Sequence, residues 1–202
     1  MSSEPLQDRR RHRTEREIAA AALDLFEQHG VDGTTVDDIA RVAGVSARTV
    51  FRYATTKERA ALIADHEVEA RVDRGLDALR ADHPLVPQLE ALWRAVLTAL
   101  GDGRSESGSH ALRLWRLAAR EPRLLLAAIA QDEERLARFQ ARLADRLDLD
   151  PLAVRVVLES TSAVVRVALD RWASDPAAHE LVATYDAACR ALGDHSGLPL
   201  DR

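Results

Sequence analysis

The sequence predicts an all-α fold on three observations. Apolar residues recur at helical spacing along nearly the whole chain, no stretch alternates with period two, and β-branched or aromatic runs bounded by turn residues are missing. With 202 residues the chain suits one compact domain or a small module joined to a larger one, long enough in either case for a real core.

Helix by helix, the punctuation sets the expected boundaries. Thr14 followed by Glu17 has the form of a capping box, and Ile18, Ala21, Ala22, Leu25 and Phe26 make an apolar stripe that stops at Gly30. Thr35 with Asp38 opens a short second helix to about Val42, and Ser46 caps a third that reaches about Tyr53. Thr55 with Glu58 opens a long fourth helix, expected to run until His83-Pro84. A helix from about Val86 to Leu100 follows, then GDGRSESGS, a small and polar stretch expected to be a disordered loop. Further helices are expected from about His110 to Arg120 and from Pro122 to about Leu147. Asp150-Pro151 and Asp175-Pro176 each place a capping Asp before a first-turn proline, so two last helices should run to about Ala173 and Leu192, with a frayed tail beyond.

Composition excludes several classes. The start, MSSEPLQDRRRHRTERE, carries charge where a secretory leader needs an apolar stretch, and the longest apolar run is only Leu124 to Ala130, so neither a leader nor a membrane span is expected. A lone cysteine, Cys189, allows no internal disulfide and no CxxC site, which fits a reducing cytoplasm. No HExxH, GxSxG or glycine-rich phosphate loop is present, and no His and carboxylate cluster has metal-ligand spacing, so neither catalysis nor a cofactor is expected. The net charge of −5 hides an asymmetry: residues 1–57 carry nine basic and nine acidic side chains, and residues 58–202 nineteen and twenty-four. Within the neutral front segment, Arg9, Arg10, Arg11, Arg13 and Arg16 crowd one short arm, read either as a nucleic-acid contact or as a solvated tail.

Function is carried by Val36 to Thr55, VDDIARVAGVSARTVFRYAT, which has the spacing of a helix-turn-helix. Ile39, Ala43, Val45, Val50 and Tyr53 fall where two short helices bury side chains against each other and the first helix. Ala40 allows their close approach, and Gly44 sits in the turn, where positive φ is easy only without a side chain. If the second of these helices enters the major groove, Ala47, Arg48, Thr49 and Arg52 approach base edges. Arg48 is the first choice for base reading, because a guanidinium donates two hydrogen bonds to guanine; Thr49 could meet a base or a phosphate. Arg52 is left between a phosphate contact and solvation. Lys57, the chain's one lysine, stands in the first turn of the fourth helix, where an ammonium beside free backbone amides suits a phosphate.

The string TTVDDIARVAGVSARTVFRYATTKE resembles the signature region of the tetracycline-repressor (TetR) family, strongly over residues 14–60 and only in architecture beyond. That resemblance implies a three-helix DNA-binding head on a larger helical domain that dimerises and binds an inducer. It implies further that Thr35 and Lys57 touch phosphates, that Arg48 and Thr49 approach bases, and that Tyr53 contacts the DNA backbone. The chain departs from the family's usual Tyr at Phe51 and from its usual Phe at Ala54. The resulting division is a basic arm over 1–13, with Arg11 and Arg13 as DNA contacts, a helix-turn-helix domain over 14–57 whose Ser46 joins the interface, a ligand-binding and dimerisation domain over 58–192, and a flexible tail over 193–202.

Expectations for the larger domain are coarser. ALRLWRLAAREPRLLLAA resembles, more weakly, the mycofactocin-regulator-like regulators, which implies an acyl-CoA-like or other apolar effector. Trp93, Trp115 and Phe139 are read as core or as the wall of a pocket, and His110, Arg113 and Arg116 as a solvated face or a seat for an anionic head group. A homodimer on a palindromic double-stranded operator is expected because one recognition helix covers few base pairs. Its interface is expected on the last two helices, through Val154, Leu158, Val165, Leu169, Trp172, Leu181 and Tyr185. A long fourth helix would act as the lever between effector and DNA. The rival classes are a structural DNA-binding protein without a ligand, and a helical enzyme or small-molecule binder with a degenerate helix-turn-helix.

Overall fold

The computed structural model describes residues 6–101 and 105–194; part of the expected GDGRSESGS loop and most of the expected tail lie outside them. All regular structure among the described residues is helical: α1 (Leu6–His29), α2 (Val36–Val42), α3 (Ala47–Tyr53), α4 (Lys57–Ala61), α5 (His66–Ala78), α6 (Leu85–Leu100), α7 (Glu106–Ala118), α8 (Pro122–Leu147), α9 (Pro151–Ser174) and α10 (Leu181–Asp194). The chain divides into two compact units, one of residues 1–67 with 116–131 and one of residues 68–115 with 132–202.

In the first unit α1 packs on α2 and α4, and α2 on α3. Ile18, Ala22, Leu23 and Phe26 of α1 close over Ile39, Val50 and Ala60, all with 1% or less of their surface exposed. Each fully buried side chain of Ile or Phe size contributes about 1.5–3 kcal/mol, which is what holds helices of five to seven residues that would not persist alone. Helix α1 begins at Leu6, eight residues before the expected cap. Thr14 instead donates its hydroxyl to the Arg10 carbonyl at 3.0 Å, and Glu17 is taken by Arg13 at 2.8 Å. With Arg11 to Glu15 at 2.9 Å, these four-residue pairs continue the helix over residues 6–13 of the expected arm.

The single long fourth helix is also corrected. Thr56, not Thr55, caps α4 by accepting from the Arg59 amide, and α4 ends after one turn and a half. Ala60, Ala61 and Leu62 are buried in the first unit, and the Leu62 carbonyl accepts from Gln131 Nε2 at 2.9 Å. Asp65 then restarts the chain by accepting from the Glu67 amide at 2.8 Å, just ahead of the second unit.

In the second unit α9 and α10 pack on each other and on α6. Leu89, Leu97, Leu143, Leu158, Trp172, Leu181 and Tyr185 lie at the centre of its core. Gly75 lets α5 approach α6 closely, since a Cβ there would lie 2.1 Å from Leu92 Cδ1. Arg142 pairs with Asp73 and Asp77 at 2.7 and 2.5 Å and ties α8 to α5. Two boundaries move. Helix α7 starts at Glu106, inside the expected loop, with Ser105 accepting from the Gly108 amide. Asp175 caps only a turn through the Ala177 and Ala178 amides, and Glu180 caps α10 through those of Val182 and Ala183.

Candidate nucleic-acid interface

The α2-turn-α3 segment follows its sequence closely. Thr35 accepts from the Asp38 amide at 3.2 Å and Asp38 accepts from the Thr35 amide at 3.2 Å, a complete capping box. The Thr35 hydroxyl also donates to Asp38 at 2.6 Å and Arg41 donates to it at 2.6 Å, which holds the Asp38 carboxyl down at about 2. The turn closes through the Val45 amide on the Ala40 carbonyl at 2.9 Å. Gly44 has φ +67°, as its place in the turn requires, with open space where a Cβ would stand. Ser46 caps α3 by accepting from the Thr49 amide at 3.1 Å, and its hydroxyl lies 2.9 Å from that of Thr49.

Helix α3 buries Val50 and turns its other side to solvent. Arg48 and Arg52 are exposed, Ala47, Thr49 and Tyr53 half-buried, and Arg48, Thr49, Phe51 and Arg52 line one open surface depression. The Arg52 guanidinium carbon lies 5.0 Å from the Tyr53 ring centroid, a contact that steadies the outer end of the helix. Arg11 and Arg13 stand on the exposed first turns of α1, each with its Nε on a glutamate.

Lys57 sits differently from a free phosphate ligand. Its ammonium donates to the Val31 carbonyl at 2.5 Å and to the Thr34 carbonyl at 2.9 Å, which pins the α1–α2 loop to α4. Thr34, which sequence reasoning missed, is 2% exposed and donates to the Gly30 carbonyl at 2.9 Å from beneath the same loop. Only a Thr beside a Thr marks it in the sequence, so no signal separates the buried one from the cap.

In the second unit Trp93 and Phe139 are part of the core, with Trp115 packed against it. His110 and Arg113 are half-buried on α7, whereas Arg116 is exposed and falls in the first unit. Of the residues named from the sequence for a partner interface, Val154, Leu158, Leu169, Trp172, Leu181 and Tyr185 are all 7% exposed or less in a single chain. Burial pushes the Tyr185 phenol up, and its hydroxyl donates to the Glu90 carbonyl at 3.2 Å. Val165, named for the same interface, is half-buried.

A capped two-helix element presenting arginines from its second helix defines a helix-turn-helix DNA-binding regulator. Residues 18–59 match the family described as bacterial regulatory proteins, tetR family. The chain is 31% identical over 172 residues to the HTH-type transcriptional regulator TcmR of Streptomyces glaucescens, covering 83% of this chain and 76% of that one. It belongs to the TetR family of transcriptional regulators. A 49-residue stretch, 24% of this chain and 25% of the other, is 49% identical to a protein of Mycobacterium tuberculosis (strain ATCC 25618 / H37Rv) named as a mycofactocin biosynthesis transcriptional regulator, MftR, which fits the weaker resemblance. In fold the chain is similar to Thermus thermophilus FadR, a TetR-family repressor solved with lauroyl-CoA, at TM-score 0.55 and 21% identity over 93% of this chain and 97% of that one. No helix among the described residues is long and apolar enough to cross a membrane.

Proposed function

We propose that this regulator is a cytoplasmic repressor that binds a palindromic operator as a homodimer through α3 and is released by an apolar or acyl-type effector. The observation that carries the reading is the outer face of α3, where Arg48, Thr49 and Arg52 surround one exposed depression on a helix fixed by caps at both neighbours. Arg48 reads a guanine by donating to O6 and N7, and Thr49 and Ala47 flank it. Arg52, Tyr53, Arg11 and Arg13 meet the DNA backbone. Thr35 and Ser46 set the two helices in register, since their hydroxyls are engaged as caps.

Dimerisation uses the face of α9 and α10 opposite the core. Val156, Ser160, Ala163 and Val167 follow one another at spacings of four, three and four on the outside of α9, with Val156 56% and Val167 55% exposed. Ala183 and Ala187 of α10 border the same surface beside Val167. Valine among small residues suits close helix packing between two copies related by a two-fold axis.

The effector is read as an acyl thioester or fatty acid held within the second unit. Trp93, Trp115 and Phe139 supply apolar wall, and His110 and Arg113 supply the polar end. Lauroyl-CoA bound to FadR supports this ligand class.

The test is operator selection from genomic fragments, followed by titration of lauroyl-CoA and dodecanoate against free protein and operator complex. Tryptophan fluorescence in a Trp172→Phe background reports binding. Effector should weaken DNA binding by about 1–3 kcal/mol, and operator should weaken effector binding by the same factor. Equal effector affinity in both states would remove the induction mechanism.

A further inference from the structure

We infer that Phe51 is a specificity-determining residue that reads the C5-methyl group of a thymine in each operator half-site. The inference rests on the proposed docking of α3 and adds a base that the arginines do not choose. Phe51 is 54% exposed, on the outward side of a seven-residue helix whose one buried member is Val50. An aromatic ring so placed contributes little to the fold, because most of its surface stays in water. Its neighbours along the helix are Ala47 one turn earlier, and Arg48 and Arg52, with which it lines the depression.

The chemistry of that group points to one target. Both arginines present only donors, and donors suit guanine edges and phosphates. Ala47 and Phe51, four residues apart, form an apolar strip beside them. In the major groove the thymine methyl is the one apolar group among the base edges, and Ala and Phe side chains are suited to touch it. Phe51 carries no hydroxyl for a phosphate, so covering that methyl is the interaction through which an exposed ring gains burial on binding.

The experiment uses the full-length protein and the strongest duplex from a random-library selection. Each thymine of one half-site is replaced in turn by deoxyuridine, which removes the methyl and leaves the hydrogen-bonding edge unchanged. Wild type should lose about four-fold in affinity at one position, the worth of one buried methyl-sized group. Phe51→Ala, its fold checked by circular dichroism, should bind more weakly and lose nothing further at that position. Phe51→Leu, which keeps an apolar side chain, should retain part of the preference, and it stands in should the alanine variant bind too weakly to measure.

A selected half-site without thymine would overturn the inference, as would wild-type indifference to every deoxyuridine. So would an unchanged methyl preference in the Phe51 variants, which would assign the methyl to another side chain. Absence of any sequence preference in wild type is a separate result and would sink the proposed function itself.

Discussion

At the scale of single residues, Lys57 shows how a charge can serve a DNA-binding head from inside it. An ammonium has three donors, and two of them go to the Val31 and Thr34 carbonyls. Lys57→Met keeps the stem and leaves both carbonyls without their charged donor, at a cost of about 1–3 kcal/mol. Denaturant unfolding should show that loss, and DNA affinity should fall alike for all sequences; undiminished stability would contradict the pinning role. The residue's place in the first turn of α4 was legible in the sequence. Its partners were not, because they are backbone carbonyls 26 and 23 residues away, which no side-chain pattern announces. The placement of Arg48 and Thr49 away from the core was legible because α3 is a local element whose faces follow from its buried Val50.

At the scale of elements, boundaries were readable wherever a cap and its amide lie two or three residues apart with no competitor. Thr35, Ser46 and Asp150 behave so. Thr14 failed because Arg13 claims Glu17, and Asp175 because Glu180 offers a second cap five residues later. The break between α4 and α5 has no glycine or proline. It arises because Leu62 is buried in the first unit while Val72 and Leu76 belong to the core of the second, a tertiary demand that local periodicity does not carry. The lever therefore cannot be one straight helix. The α2 cap makes a pH prediction. Asp38 is held at about 2 against an ordinary value near 4, so its contribution is fully present above about pH 4 and lost as pH falls toward about 2. Unfolding midpoints followed by circular dichroism should decline over that window more in wild type than in Asp38→Asn. Parallel declines would place the sensitivity elsewhere.

For the molecule as a whole, the all-α class was legible from periodicity and punctuation, whereas the clustering of residues 116–131 with the first unit was not. Which face of α9 would meet a partner was not legible either, because apolar side chains suit a core and a subunit interface equally and packing decides between them. Two substitutions on α9 separate the alternatives. Val167→Glu, on the exposed ridge, should yield a folded monomer by light scattering with much weaker operator binding. Leu169→Glu, 7% exposed, should instead destabilise the unit, because a carboxylate would be buried without a partner. A folded dimer from Val167→Glu would move the interface off this ridge.

The central claim is that α3 reads bases, and the most direct measurement is the affinity of wild type and Arg48→Ala for the selected operator and for its single-base-pair variants at fixed salt. Arg48→Ala should cost about 1–3 kcal/mol on the operator and flatten the preference at one base pair per half-site, leaving the others intact. An Arg48→Ala protein with wild-type operator affinity and an unchanged preference at every position would contradict the docking of α3 in the major groove.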